Sequence, residues 1–216
     1  MINLVTSEKM TQIRNSMNGM AKGMLRPIAR KYDVNEHEYP KELDMFRSIK
    51  IMGGAKKKKT GEEPRKDDKP APKKLGTNLS TVISIEEMCW GDAGLLLSLP
   101  NAGLGNAAIA AVATDEQMER FGNKWAAMAI TEPGSGSDSG SITATARLDG
   151  DEWVLNGEKI FVTCADRCDV VVVWATVDKK AGKSGIKSFV VEKDRPGFKL
   201  EKLEHKLGIR ASDTGT

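Results

Sequence analysis

The hydrophobic pattern of this chain changes period once, and the change limits the fold more than any figure of composition. In the first 126 residues, apolar side chains recur at intervals of three and four, the spacing of amphipathic helices; from Met128 onward they alternate or run continuously, as strands require. The helical half opens on a stripe of Met10, Ile13, Met17, Met20 and Met24 with Lys and Arg between them, and Pro27 is placed to kink or restart that helix. A methionine stripe reads as ordinary core, because Met fills irregular gaps. Pro40 followed by Leu43, Met45, Phe46 and Ile49 predicts a second helix ending at Gly53 and Gly54, and residues 79–90 predict a third. Residues 107–113 predict an alanine-rich helix buried on most sides, and Thr114 to Gln117 form a capping box opening a short helix through Phe121. In the second half, residues 125–130, 142–148, 170–175 and 189–191 read as strands, joined by Gly, Asp-Gly and Asn-Gly turns. The expectation is an α+β chain: an all-helical domain over 1–126, then a small antiparallel β-barrel or sandwich over 127–216.

Composition matters where it shifts. The 216 residues are 39% hydrophobic, enough for a packed core, but residues 56–74 contain no aliphatic side chain larger than alanine. That segment holds nine basic and four acidic residues, net +5 against +3 for the whole chain, so the basic character is local. It reads as a solvated insertion; contact with anionic lipid or nucleic acid is the other reading, weakened because no aromatics are interleaved for base stacking. No apolar run approaches the roughly 18 residues of a membrane span. No signal-peptide core opens the chain, and Glu8 argues against a transit peptide. Cys89, Cys164 and Cys168 are accompanied only by His37 and His205, far away in sequence, so no metal site is expected and free thiols in a reducing cytoplasm are.

Two stretches carry chemistry. Residues 129–138, Ala-Ile-Thr-Glu-Pro-Gly-Ser-Gly-Ser-Asp, place backbone-exposing glycines and three hydroxyls directly behind a hydrophobic strand, so the main chain of Gly134 and Gly136 can approach a ligand. Taken alone, this is as well read as a surface loop. Residues 153–163 read as strand, Asn156-Gly157 turn, strand.

Together these stretches resemble the acyl-CoA dehydrogenase family, whose pattern is T-E-P-G-x-G-S-D followed by N-G-x-K-x-[WF]-[IV]-T; residues 207–214, Leu-Gly-Ile-Arg-Ala-Ser-Asp-Thr, match a third family motif. The resemblance covers nearly the whole chain and is strongest from Met128. It implies FAD as cofactor, an acyl-CoA thioester as substrate, α,β-dehydrogenation to the trans-2-enoyl-CoA, an electron-transferring flavoprotein as partner, and a homo-oligomer, tetramer or dimer. Residue by residue, it implies that Met128, Ala129, Ile130 and Thr131 face the pyrimidine side of the flavin, with the Thr131 hydroxyl contributing. Gly136 and Ser137 lie along its phosphate-bearing arm, Ser137 also near the CoA. Phe161, Val162 and Thr163 meet the ring system, Phe161 standing where tryptophan is commoner and Thr163 hydrogen-bonding at or near N5. Strand propensity or core packing explains each of these residues singly; their joint spacing favours the site.

Glu132 is the one carboxylate inside the signature loop before Asp138, yet the resemblance makes it structural and puts the catalytic base in a later helical domain, so no catalytic residue is expected in this chain. It also puts part of the cofactor site and most of the oligomer interface there, which predicts that this chain alone is inactive. Arg210, Ser212 and Asp213 are expected to pin a strand end by charge-assisted hydrogen bonds. A non-catalytic or truncated subunit of a composite flavoprotein, a nucleic-acid-binding relative, and an acyl-CoA oxidase are the alternatives.

Overall fold

The structure is a computed structural model that describes residues 7–46, 77–100 and 104–216. The basic insertion at 56–74 and the predicted helix end at Gly53 and Gly54 lie outside the described residues. The first helix is one rod in three parts: α1 (Glu8–Met20), a π turn (Ala21–Leu25) and α2 (Arg26–Val34). Ser7 caps its start through Met10 N–H. Proline at the second position of α2 has no N–H to donate and its ring crowds the preceding turn; the π turn immediately before Pro27 absorbs the disruption without ending the helix. A 3₁₀ turn (Lys41–Phe46) follows, shorter than the α-helix predicted after Pro40 as far as it is described.

Helix α3 (Thr77–Gly91) lies against α1, where Asn18 donates to Glu87 at 2.7 Å and Arg14 pairs with Glu87 at 3.3 Å. At its end, a Cβ on Gly91 would stand 3.0 Å from the Cβ atoms of Ala21 and Leu25, so glycine lets α3 seat directly on the π turn. Asp92 then caps α4 (Ala93–Leu97). Leu25, Tyr32, Leu43, Phe46, Met88, Leu95 and Leu99 form the core of this half, with Met17, Met20 and Met24 packed on it, so the methionine stripe is core.

Helix α5 (Leu104–Val112) buries Gly105 and Ile109 but exposes Leu104 and Val112, so alanine-rich composition overstated its burial. The capping box of Thr114 and Gln117 opens α6 (Asp115–Phe121) as expected. Among the described residues, no helix is long and apolar enough to cross a membrane.

Strands begin at β1 (Ala126–Ala129). The main sheet runs β1, β5 (Val170–Thr176), β2 (Thr145–Asp149), β3 (Glu152–Asn156), and β6 (Ile186–Glu192) also pairs with β5. β4 (Val162–Thr163) and β7 (Thr214–Gly215) form a separate antiparallel pair. The architecture is α+β, as predicted, with one refinement: the sheet is mixed. β1 lies parallel to β5 in the register Ala126 to Val170, while Thr176 at the far end of β5 meets Thr145 of β2.

The expected Asn156-Gly157 hairpin is corrected. The hairpin is made one turn earlier, by Gly150 at φ 60° between β2 and β3. Gly157 holds φ 154° outside any hairpin and also permits close approach: a Cβ there would fall 2.5 Å from that of Ala144, and the chain leaves β3 to pair β4 with β7.

Candidate functional site

β1 delivers the Gly/Ser loop, and its first residues are tied to the second stretch. The Ile160 N–H donates to the Thr131 carbonyl at 2.9 Å, and Lys159 Nζ donates to the Ile130 carbonyl at 2.9 Å. Lys159 also pairs with Glu132 at 2.8 Å, both side chains almost fully buried. The Glu132 carboxylate further accepts from the Thr143 amide (2.6 Å), the Thr143 hydroxyl (2.7 Å) and the Ala144 amide (2.9 Å). Burial pushes its pKa up, but Lys159, Thr143 and the two amides outweigh burial and hold it down at about 2. A carboxylate so occupied has no lone pair left to take a substrate proton; it is the rivet joining the two motifs.

Beyond Glu132 the loop doubles back on itself, Glu132 and Ser135 exchanging backbone hydrogen bonds across Pro133 and Gly134. Ser135 is buried and donates to the Asp138 carbonyl. Gly134, Gly136 and Ser137 are exposed, and a Cβ at either glycine would meet nothing within 4 Å. The chain's own packing therefore does not require glycine at either position. The hydrogen bonds of the described residues leave the Thr131, Ser137 and Thr163 hydroxyls without a partner.

The other wall is β4 and its flanks. Phe161 and Cys164 both hold positive φ, 59° and 61°, a conformation that costs a non-glycine residue free energy. Phe161 keeps it while 61% exposed, so no core packing compensates it. Val162 is buried with Ala127, Ala129 and Val171, and the Cys164 N–H donates to the Asp213 carbonyl at 3.0 Å. Met128 packs on Ile109 and Phe121, and Ile130 lines a cleft of about 330 Å³ with Ser139, Ile142, Trp174 and Lys183. Thus Met128 to Thr131 and Phe161 to Thr163 are brought side by side, with Gly136 and Ser137 on the loop leading away.

Burial pushes the Cys164 thiol up to about 12 and Cys168 up to about 11, so neither is a nucleophile at neutral pH; both are free, as is Cys89. Of the third motif, Asp213 pins β4 as expected, through the Asp166 amide and a 3.0 Å ion pair to Arg167. Arg210 does not: its Nε donates to the Asp33 carbonyl at 2.7 Å, tying the motif to the end of α2. Lys159 and Arg167 were not singled out by sequence. Lys159 occupies the K of N-G-x-K and was visible in the motif; nothing in the sequence marks Arg167.

Residues 127–216 match the model of the acyl-CoA dehydrogenase middle domain. Over 210 residues the chain is 33% identical to a short-chain-specific acyl-CoA dehydrogenase of Clostridium acetobutylicum, covering 94% of this chain and 52% of that one. The chain belongs to the acyl-CoA dehydrogenase family. It is also 39% identical over 150 residues to the CarC subunit of the caffeyl-CoA reductase–Etf complex of Acetobacterium woodii, covering 64% of this chain and 39% of that one. The solved butyryl-CoA dehydrogenase of Megasphaera elsdenii superposes with a TM-score of 0.79 at 26% identity, covering 99% of this chain and 56% of that one. The chain spans about half the length of the relatives it matches. Within the acyl-CoA dehydrogenase fold, the two motifs that define the resemblance are the two segments riveted by Glu132 and Lys159.

Proposed function

We propose that this chain is the flavin-binding part of an enzyme that removes hydrogens from Cα and Cβ of an acyl-CoA thioester. One observation carries the reading: two distant signature segments share one site, with unpartnered hydroxyls, an open glycine loop and an exposed, strained aromatic along it. That set fits FAD. The amides around Gly136 and Ser137 suit its anionic arm, the Thr131 and Thr163 hydroxyls suit its polar ring edge, and Phe161 suits its face. FAD, when bound, accepts the β hydride. The chain's own residues bind and orient, and Ser137 reaches the CoA as well. Glu132 takes no proton. An electron-transferring flavoprotein as partner is supported by the CarC likeness, which also supports the reverse reaction, reduction of an enoyl thioester, as a second reading. A homo-oligomer of two domains divided near residue 126, working in a reducing cytoplasm that suits the free thiols, completes the proposal.

The test is an anaerobic titration of the FAD-loaded protein, in its complete assembly, with a panel of saturated acyl-CoA thioesters, following the visible flavin band. Bleaching by one of them supports the dehydrogenase and gives its chain-length class. If every saturated thioester leaves the flavin oxidised, while an enoyl-CoA reoxidises the reduced protein, the reductase reading stands. A protein that takes up no flavin overturns both. Thr163→Val removes one hydrogen bond of about 1 kcal/mol net, so flavin reduction slows about five-fold while the fold persists; an unchanged rate removes Thr163 from the site.

A further inference from the structure

Outside that site, the fold brings the chain's only two histidines together. His37, in the turn after α2, and His205, before the third motif, have ring centroids 5.4 Å apart, and with Glu36 they offer three ligand atoms within 4.8 Å of one another. His37 holds φ 71°, and both of its ring nitrogens are shut off from solvent without a hydrogen-bond partner. Burying both nitrogens of a half-buried imidazole in that state costs free energy that no hydrogen bond of the described residues returns. His205 Nδ1 stands 3.0 Å from Glu36 Oε2, close to the ~3.3 Å that separates two donors on one tetrahedral zinc ion.

We propose that Glu36, His37 and His205 bind one divalent transition-metal ion of the zinc class. The ion takes the place of the His205 to Glu36 hydrogen bond, a His37 nitrogen is its third ligand and water completes the shell. The backbone around the cluster is built for it. The Lys206 amide holds Glu36 Oε1 at 2.7 Å, leaving Oε2 toward the rings, as outer contacts orient ligating carboxylates. The Arg210 guanidinium stands 3.6 Å from Oε2 and offsets part of the carboxylate charge. Binding then rests on the imidazoles, which suit zinc, nickel and copper and not magnesium or calcium. The ion staples the end of the first helix to the segment entering the third motif, 169 residues apart in sequence.

The test is calorimetric titration of the full chain, stripped with EDTA, with zinc chloride, and a parallel Co²⁺ titration followed by absorption. One ion per chain is expected, with no heat from Mg²⁺ or Ca²⁺. His205→Ala and His37→Ala should each weaken binding about ten-fold or more, since even outer-shell losses cost that much. The His205 side chain is 87% exposed, so its variant tests the site without endangering the fold, with circular dichroism as check. Cys89→Ser should bind as the parent does, and the Co²⁺ spectrum should lack a thiolate charge-transfer band. Absence of saturable zinc binding, affinity unchanged from the parent in both histidine variants, or a thiolate band that disappears with Cys89→Ser would each overturn the proposal.

Discussion

Glu132 and Lys159 show how one residue pair sets the site. Each is buried to a degree that an unpaired charge cannot sustain, and the two sit on the two segments that must meet. Lys159→Met leaves the carboxylate with amide and hydroxyl donors but no counter-charge, and about 3–5 kcal/mol of stability should go, read as a lower urea midpoint. Glu132→Gln in the same chain should recover part of that loss; a single variant as stable as the parent would show that the pair contributes nothing. The pH dependence follows from the same carboxylate. Its folded pKa of about 2 lies below the ordinary 4.5, so its contribution is complete above 4.5 and is lost as pH falls toward 2. Acid titration of the urea midpoint should therefore show a steeper drop across that window in the parent than in Glu132→Gln. Phe161 makes the opposite case. Its positive φ and exposure mean that Phe161→Gly relieves a strained backbone while giving up little burial, so stability should stay within about 1 kcal/mol of the parent. A core phenylalanine would cost about 3–5. FAD affinity, measured by flavin fluorescence, should nevertheless fall; unchanged affinity would remove Phe161 from the site.

At the scale of elements, two glycines separate packing from function. Gly105 lets α5 lie on β1, since a Cβ there would stand 2.2 Å from the Ala127 carbonyl oxygen, whereas Gly134 faces open space. Gly105→Ala should cost about 3 kcal/mol, at the upper end for overpacking because the obstacle is backbone, while Gly134→Ala should stay within about 0.5 kcal/mol of the parent. Thermal melts of the two variants check both. What sequence could reveal follows the same division. The methionine stripe, the Thr114 to Gln117 box and the run at 170–175 are local patterns, and each appears as the element it predicts. The Asn156-Gly157 hairpin failed because a glycine pattern cannot say what a positive φ or a missing side chain serves, and here Gly157 combines φ 154° with Ala144 lying where the Cβ would be. The parallel pairing of β1 with β5 was hidden because no local signal names a partner more than forty residues away. The site was legible as two motifs, but that they meet through Lys159 is a fact of tertiary geometry.

At the scale of the whole molecule, one buried guanidinium bridges helices and sheet at several points at once. Arg167 pairs with Asp213 at 3.0 Å and donates to the Ser98 hydroxyl (2.9 Å), the Ala211 carbonyl (2.9 Å) and the Glu38 carbonyl (3.1 Å). Those partners come from the turn after α2, the end of α4 and the turn leading into β7, so one side chain satisfies carbonyls in both halves. Its Asp213 partner is 1% exposed. Arg167→Met should then do more than lower stability by about 3–5 kcal/mol. It removes the donors that make opening of one half costly to the other, so the two halves should unfold as separate units. Amide hydrogen exchange is the direct measurement. In the parent, protected amides of α1 and of β5 should exchange with the same opening free energy; in Arg167→Met those of α1 should exchange first. Adding Asp213→Asn neutralises the stranded carboxylate and should return part of the stability without restoring the common opening, because the lost hydrogen bonds to Ser98 and Glu38 are still absent. If the double variant regained both, the hub would act through charge alone and not through the contacts that join the halves.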